Sequence, residues 1–589
     1  MDENWLKHYD RGVPHKLQPY PEHTLADVMD DAARQRPGHP ALFFKGACLS
    51  YGQVERLSNA LAAALVAMGV QKGDRVALVL PNCPQWVIGQ LAAWKAGAIV
   101  VPVCPLYAEA EIRRTLADCG AKVALVLTSF YAKVKAAQPG TALRCVIATN
   151  IKEYLPAHLR LLFTALKEKK EGHRIALQAG DRWLGDLLKQ HAGAARPGVP
   201  VGPADSALFI YSGGTTGTPK AAVGTHQALL ITALQLRAWF SVVLEDWDDV
   251  VMGNMPLFHA YGALCLAGAQ VGHHPVALIP DPRDLDDLLA TIHRHRAALL
   301  PGVPTLFIAL LKHPRVQAGR TDLGSLKLCF SAAAPLMMET KNRFEELTGG
   351  RIVEGYSLTE AMVAAVITPV MGTYKPRSVG VPLPDIEVCV VEAEEGLDTL
   401  PAGQVGEILM RAPNLMQGYW QRPEETAAIL REGPTPGSGE RWLYTGDLGY
   451  LDEDGYLFLV DRKKDLIKPG GRQVWPREVE EVIAAHPAVA EVGVAGVPDE
   501  WSGEAVKAWV VLRAGQEVTV EELRAYCKQS LAPYKVPKQI EFLDSLPKSA
   551  IGKVLRRELA RAEHSGQAAP AESQPRPEEL ASPQLVAAH

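Results

Sequence analysis

Over its first 380 residues the chain repeats one pattern: a short apolar run, a helical stretch, then another apolar run. RVALVL at 75–80 precedes the helical PQWVIGQLAAWKAG at 84–97, IVVPV at 99–103 precedes EAEIRRTLADCG at 109–120, and KVALVL follows at 122–127. The pattern resumes with ALFIYS at 207–212, VALIP at 276–280, AALLPGV at 297–303 and LKLCFSAAA at 326–334. Runs that are apolar throughout belong to strands covered on both faces. Such strands, separated by helices, build largely parallel sheets. The chain is therefore expected to be α/β, with a large N-terminal domain of mixed and parallel sheets flanked by helices. Residues 385–462, rich in Gly and turn signals such as PAGQVGEILM, predict an antiparallel β subdomain. Beyond Asp461 a compact α+β pattern predicts a small C-terminal domain. The expected divisions are 1–461, a mobile domain 462–564, and a disordered tail 565–589 rich in Ala, Gln, Glu, Ser and Pro.

Composition narrows the function. With 589 residues, several domain equivalents are present and a single small binding module is excluded. Lys+Arg number 61 and Asp+Glu 66, a net charge of −5, which argues against a nucleic-acid protein held by phosphate contacts. The nine cysteines are scattered and none forms CxxC, so free thiols in a reducing, cytoplasmic setting are expected rather than disulfides or zinc. The charged start MDENWLKHYD lacks the apolar core of a secretory signal. Val76–Trp94 and Val250–Pro280 carry no Asp, Glu, Lys or Arg, but Pro, Gly, Asn and His interrupt them, so both are read as buried β–α units.

The chemistry begins at Tyr211–Ala221, YSGGTTGTPKA, directly after an apolar strand. Gly213, Gly214 and Gly217 allow close backbone approach. Ser212, Thr215, Thr216 and Thr218 bring hydroxyls, and Lys220 brings a charge. This is an anion cradle suited to a polyphosphate. It is not a Walker A loop, because Pro219 precedes the lysine. The bland alternative, a flexible linker, does not account for the strand in front or the Pro-Lys behind.

YSGGTTGTPKA resembles the phosphate loop of the adenylate-forming superfamily: acyl-CoA synthetases, luciferases and peptide-synthetase adenylation domains. Further motifs resemble that family's in order: MPLFH at 255–259, SAAAP at 331–335, EGYSLTE at 354–360, WLYTGD at 442–447, DRKKDLIK at 461–468 with PREVE at 476–480, and PKSAIGK at 547–553. The resemblance covers about residues 20 to 560. It implies that Ala333, Glu354, Gly355, Tyr356 and Ser357 flank adenine. It places Thr359 and Glu360 at phosphate and Mg²⁺, with Thr215 as second metal ligand. Asp447 falls at ribose, Arg462 at ribose or phosphate, Lys464 at a hinge between domains, Lys553 at the reacting carbonyl and α-phosphate, and His259 at the acyl site as a gate or carboxylate-orienting residue.

The residue types agree. A carboxylate such as Asp447 accepts two hydrogen bonds from vicinal hydroxyls, Glu360 is a hard oxygen ligand, and a mobile cation such as Lys553 suits a site where negative charge builds. Each also has an ordinary reading: a turn Asp, a solvated Glu or Lys, a core Tyr, a satisfied core His. His273, His274, His293 and His295 lack a convincing third ligand and are read as structural. Two departures stand out. Ser357 follows the aromatic where many relatives have Gly, and Pro469-Gly470-Gly471 is followed by a Gln-Val-Trp-Pro ending where Ser-Gly and Asn-Val-Tyr-Pro are usual.

Residues 152–174, KEYLPAHLRLLFTALKEKKEGHR, resemble an insertion of bacterial long-chain fatty-acid–CoA ligases. With local charge +3 and Leu159, Leu161, Leu162, Phe163 and Leu166, they predict a basic apolar helix, either lying on an anionic membrane or packed on its own domain. The small residues Gly262, Ala263, Ala267, Gly268 and Ala269 are expected either to leave room for an apolar chain or to allow close helix packing. The resemblance implies ATP-dependent activation of a medium- or long-chain fatty acid, with Mg²⁺ as cofactor and coenzyme A as second substrate. Peripheral contact with the inner face of the membrane and a homodimer are further partner expectations. The alternatives are a ligase for aryl or short acids and a non-catalytic acyl or nucleotide sensor.

Overall fold

The computed structural model describes residues 3–212, 219–362, 365–393, 396, 398–434, 439–499, 501–549 and 554–565. The chain forms two compact units. The first is built from the residues up to Cys389 with 409–445 and 451–458, the second from 390–408, 446–450 and the chain from Leu459 on. The tail expected to be disordered lies, from 566, outside the described residues.

Two sheets organise the first unit. One has the strand order Arg182–Trp183, Cys145–Thr149, Val123–Leu127, Arg75–Val79, Ile99–Pro102, Ser206–Ser212, Lys220–Thr225. It is parallel until its last pair, which is antiparallel. The other runs through Pro40–Phe44, Val276–Leu278, Val251–Gly253, Leu299–Gly302, Leu328–Ala332 and Arg351–Tyr356, all parallel, and then turns antiparallel at Val366–Ile367 and Ser378–Pro382. The charge-free stretch 76–94 thus divides into a strand and the helix Pro84–Lys95. The stretch 250–280 becomes strand, helix Ala260–Val271 and strand. Among the described residues no helix is long and apolar enough to cross a membrane.

Helix Pro84–Lys95 is buried along its whole length. It lies close on the first sheet: a Cβ on Gly89 would meet Leu125 Cδ2 at 2.6 Å and Leu78 Cδ2 at 3.2 Å. Its one charge, Lys95, is fully buried and held by Asp30 at 2.8 Å, Glu55 at 2.6 Å, and the side-chain oxygens of Ser58 and Asn59, each at 2.9 Å. Two carboxylates and two neutral acceptors replace the water that an ammonium loses on burial.

The second unit centres on the antiparallel pair Val489–Asp499 and Gly503–Leu512, with Gln539–Phe542 parallel to the latter. Helices Pro476–Ala484 and Val520–Lys528 contribute Val479, Ile483, Leu523 and Cys527 to its core. This is the expected α+β pattern.

The expected helix over 152–174 needs correction. Ile151–Tyr154 is a short 3₁₀ turn, the α-helix spans only Ala157–Leu166, and turns follow to 172. Pro156 sets the start, because its ring is incompatible with a helix continuing from 155. Beyond the helix, Glu168 folds back onto Lys152 at 2.5 Å. Gly262 and Gly268 of helix Ala260–Val271 take the packing reading. A Cβ on Gly262 would meet Pro256 O at 2.1 Å, and one on Gly268 would meet Leu236 Cδ1 at 3.2 Å.

Lys95→Met should lower the denaturant midpoint of the first unit, with a loss of about 3–5 kcal/mol, because Asp30 and Glu55 lose their shared cation. A midpoint unchanged from the parent would show that the cluster contributes nothing net.

Candidate functional site

The sequence-predicted residues fall in both units. In the first, the phosphate loop joins Ser206–Ser212 to Lys220–Thr225, and Ser212 is the cross-strand partner of Lys220. The loop therefore leaves and rejoins the sheet at one rung. Gly213, Gly214, Thr215, Thr216, Gly217 and Thr218 lie outside the described residues, as does Lys553.

A second segment docks against that hairpin. Gln417 donates its N–H to Val223 O at 2.9 Å, Val223 to Gly418 O at 3.0 Å, and Trp420 to Ala221 O at 2.8 Å. Gly418, at φ +155°, has only 2.7 Å between a would-be Cβ and Thr426 Cγ2, so a side chain there would push the segment off the strand. This docking places the Tyr419 ring 5.3 Å from Lys220 Nζ. The Tyr419 hydroxyl donates to Glu360 Oε1 at 2.6 Å, while Met416 N–H donates to Glu360 O at 2.9 Å. Burial, then the nearby Glu360 carboxylate, push the phenol pKa far up, so Tyr419 stays a donor. Sequence reading missed Tyr419. Its only local signal is Gly418 in front of two aromatics.

Glu360 sits on the single turn Thr359–Ala361, with Thr359 beside it half-buried. Its second carboxylate oxygen accepts no hydrogen bond among the described residues. No group of three His, Cys, Asp or Glu that could hold a metal occurs among them either. One carboxylate is nevertheless a fitting donor set for Mg²⁺, which keeps several waters and takes its other ligands from phosphate.

Glu354 differs from its neighbour in role. Its Oε2 accepts Leu336 N–H at 3.1 Å and its Oε1 the Tyr374 hydroxyl at 2.7 Å, with Lys341 Nζ 4.6 Å from the Tyr374 ring. The carboxylate thereby ties the loop after Ala332 to the strand Arg351–Tyr356. On that loop Ala333 has φ +72°, an unfavourable backbone for a residue with a Cβ, and it is exposed. Ser331 Oγ is buried without a hydrogen-bond partner among the described residues. Gly355 is required by packing, since a Cβ would lie 2.6 Å from Phe330 Cε2. Tyr356 is buried and Ser357 half-buried.

His259 caps helix Ala260–Val271, its Nδ1 accepting Tyr261 N–H at 3.2 Å. Burial pushes its pKa down to about 4. The ring is neutral near pH 7, and because Nδ1 accepts, the proton lies on Nε2, where it can be donated.

In the second unit Asp447 is buried on the strand Arg441–Leu451, with Arg462 Nε 3.1 Å from its Oδ1. Glu407, also unseen in the sequence, accepts Gly446 N–H at 3.2 Å and pairs with Lys463 at 2.8 Å, which fixes the turn carrying Asp447. Burial, then Arg462 and Arg557, push Lys464 down to about 8. Arg556, three residues beyond Lys553, is clamped by Asp461 at 2.9 Å, by Glu480 at 2.5 Å and, more loosely, by Asp465 at 3.6 Å. Pro469 opens a 3₁₀ turn in which Gly470 takes φ +58°, so the departure from the usual pattern forms a defined corner.

The family model described as AMP-binding enzyme matches residues 29–420, and that of the AMP-binding enzyme C-terminal domain matches 478–553. A long-chain-fatty-acid–CoA ligase of Bacillus subtilis is 39% identical over 560 residues, covering 95% of this chain and 98% of its own length. One of Escherichia coli O6:H1 is 35% identical over 566 residues with the same shares, 95% and 98%. The crystal structure of the anthranilate CoA ligase AuaEII in complex with anthranoyl-AMP superposes with TM-score 0.79 at 27% identity, covering 93% of this chain and 98% of that one.

Tyr419→Phe removes one hydroxyl and leaves the ring under Lys220. Affinity for a magnesium–nucleoside triphosphate, measured by calorimetry, should fall about tenfold, the equivalent of a charge-assisted hydrogen bond of about 1.5 kcal/mol, with thermal unfolding unchanged. Equal affinity in the variant would remove Tyr419 from the site.

Proposed function

Because the chain belongs to the AMP-binding enzyme family, we propose that it activates a medium- or long-chain fatty acid with ATP and transfers the acyl group to coenzyme A. The observation that carries this reading is the end-to-end match to long-chain-fatty-acid–CoA ligases, 39% identical over 95% of the chain. In the first half-reaction a carboxylate oxygen attacks the α-phosphorus, the bond to the bridging oxygen breaks, and pyrophosphate leaves. In the second the coenzyme A sulfur attacks the acyl carbonyl carbon, AMP leaves with its oxygen, and the thiol proton passes to solvent.

The side chains divide this work. Lys220 and the loop Ser212–Thr218 hold the phosphates, Tyr356 and the Ala333 loop face adenine, and Asp447, steadied by Arg462, takes the ribose hydroxyls. Glu360 and Thr215 would hold Mg²⁺, which would supply charge neutralisation on the phosphate oxygens. His259 donates from Nε2 to the carboxylate and so aims it without removing a proton. Lys553 brings a cation to the first transition state. The two half-reactions need different groups at one carbonyl, and rotation of the domain 462–564 about Lys464 answers that need.

The enzyme works in the cytoplasm at the inner face of the membrane, through helix Ala157–Leu166. Leu161, Leu162 and Leu166 are 73%, 46% and 63% exposed there, and Lys169 and Lys170 follow at the surface. An apolar helix face flanked by lysines suits an anionic interface. Replacing the three leucines by Ser should abolish co-sedimentation with phosphatidylglycerol vesicles at low salt. Undiminished co-sedimentation removes the membrane contact.

The activity test is pyrophosphate release across saturated acids from acetate upward and benzoate, with and without coenzyme A. The value of kcat/KM should climb with chain length, and an optimum at acetate or benzoate would overturn the fatty-acid assignment. Lys553→Ala should lose acyl-adenylate formation far more than thioester formation from supplied acyl-adenylate. Equal losses would place Lys553 elsewhere.

A further inference from the structure

A surface cavity of about 450 Å³ opens in the first unit where the strand Ala47–Ser50, the start of helix Tyr51–Ala67 and the 3₁₀ turn Ile151–Tyr154 meet the helix Ala157–Leu166. None of its lining residues belongs to the nucleotide or acyl motifs assigned above, although Glu153, Tyr154, Leu155 and Arg160 come from the 152–174 segment. Its size is that of a small-molecule site. The walls are apolar, with Leu49 and Leu155 buried and Leu57 half-buried, while two guanidiniums, Arg56 and Arg160, stand at the opening and are exposed. Arg56 makes no hydrogen bond or ion pair among the described residues. Arg160 donates only to the carbonyl oxygens of Glu153 and Leu155, at 3.2 and 3.4 Å. The acidic group in the lining, Glu153, is already engaged, its oxygens accepting Thr149 Oγ1 at 2.8 Å and Asn150 N–H at 3.1 Å.

An apolar hollow with two exposed arginines at its mouth, neither of them in an ion pair among the described residues, is complementary to one kind of molecule: an aliphatic chain ending in an anion. Resting on the fatty-acid reading above, we propose that this cavity is a second, non-catalytic site that binds a fatty acid, the carboxylate between Arg56 and Arg160 and the chain against Leu49, Leu57 and Leu155. Arg160 belongs to the same helix as the exposed Leu161, Leu162 and Leu166, so an acid held here waits beside three exposed leucines. The site gathers substrate at the surface and leaves the chemistry to the groups already described.

The cavity contains its own reporter. Cys48 lines it and is exposed, whereas Cys265 is intermediate and the other seven cysteines are buried. The test follows N-ethylmaleimide modification of Cys48 by mass spectrometry in the full chain, without nucleotide. Dodecanoate should slow the modification several-fold, hexanoate little and dodecanol less than dodecanoate. Affinity should rise by up to about fourfold per added methylene. Arg56→Ala with Arg160→Ala should abolish the protection, and Leu57→Trp, which fills the cavity without removing charge, should do the same. Pyrophosphate release with saturating hexanoate, measured on the same preparations, should stay at the parent level. Equal labelling with and without dodecanoate overturns the proposal. Protection that survives both sets of substitutions, or that comes from phosphatidylglycerol vesicles but not from dodecanoate, also overturns it. Labelling requires no turnover, so failure of the fatty-acid activity and failure of the cavity are read in separate assays.

Discussion

The cross-strand pairing of Ser212 with Lys220 is the constraint from which the first unit's chemistry follows. A backbone that is to wrap a polyphosphate must leave its sheet and return to it, and the antiparallel rung brings both ends to one place. The same edge then takes main-chain hydrogen bonds from the irregular 417–420 segment, which sets Tyr419 between Lys220 and Glu360. A cation, an aromatic face and a carboxylate are thus aligned by main-chain hydrogen bonds, which tolerate little displacement.

Much of the architecture was legible before any coordinates. Strands buried on both faces carry uninterrupted Val, Leu and Ile, and the parallel core follows from them directly. The motifs also named most candidate site residues, because each sits on a short contiguous segment. What stayed hidden joins distant segments. Tyr419 meets Glu360 across 59 residues and Glu407 meets Lys463 across 56, and no spacing rule connects either pair. Glu354 was visible as part of a motif, but its service to the loop through Leu336 and Tyr374 was not.

Where composition had two physical meanings, tertiary context decided. Small residues in a helix permit either a hollow or a close approach. The carbonyls of Met255 and Pro256, 2.7 and 2.1 Å from a would-be Cβ of Gly262, decide for approach. Leucines and lysines over 152–174 suggested one long amphipathic helix. Pro156 and the return of Glu168 to Lys152 confine it to ten residues, concentrating its exposed leucines in a shorter patch.

The bond from Tyr419 to Glu360 bears on the order in which ligands arrive. With one carboxylate oxygen already accepting a proton donor, a divalent ion reaching the protein alone meets a single oxygen of Glu360 and must keep nearly all of its water. An ion travelling on a nucleotide's phosphates brings most of its coordination with it and asks the protein only for that oxygen and the Thr215 hydroxyl proposed as its second ligand. The arrangement favours the preassembled pair over sequential capture. The rate should therefore track the concentration of the metal–nucleotide complex, and a surplus of free metal should gain the enzyme nothing.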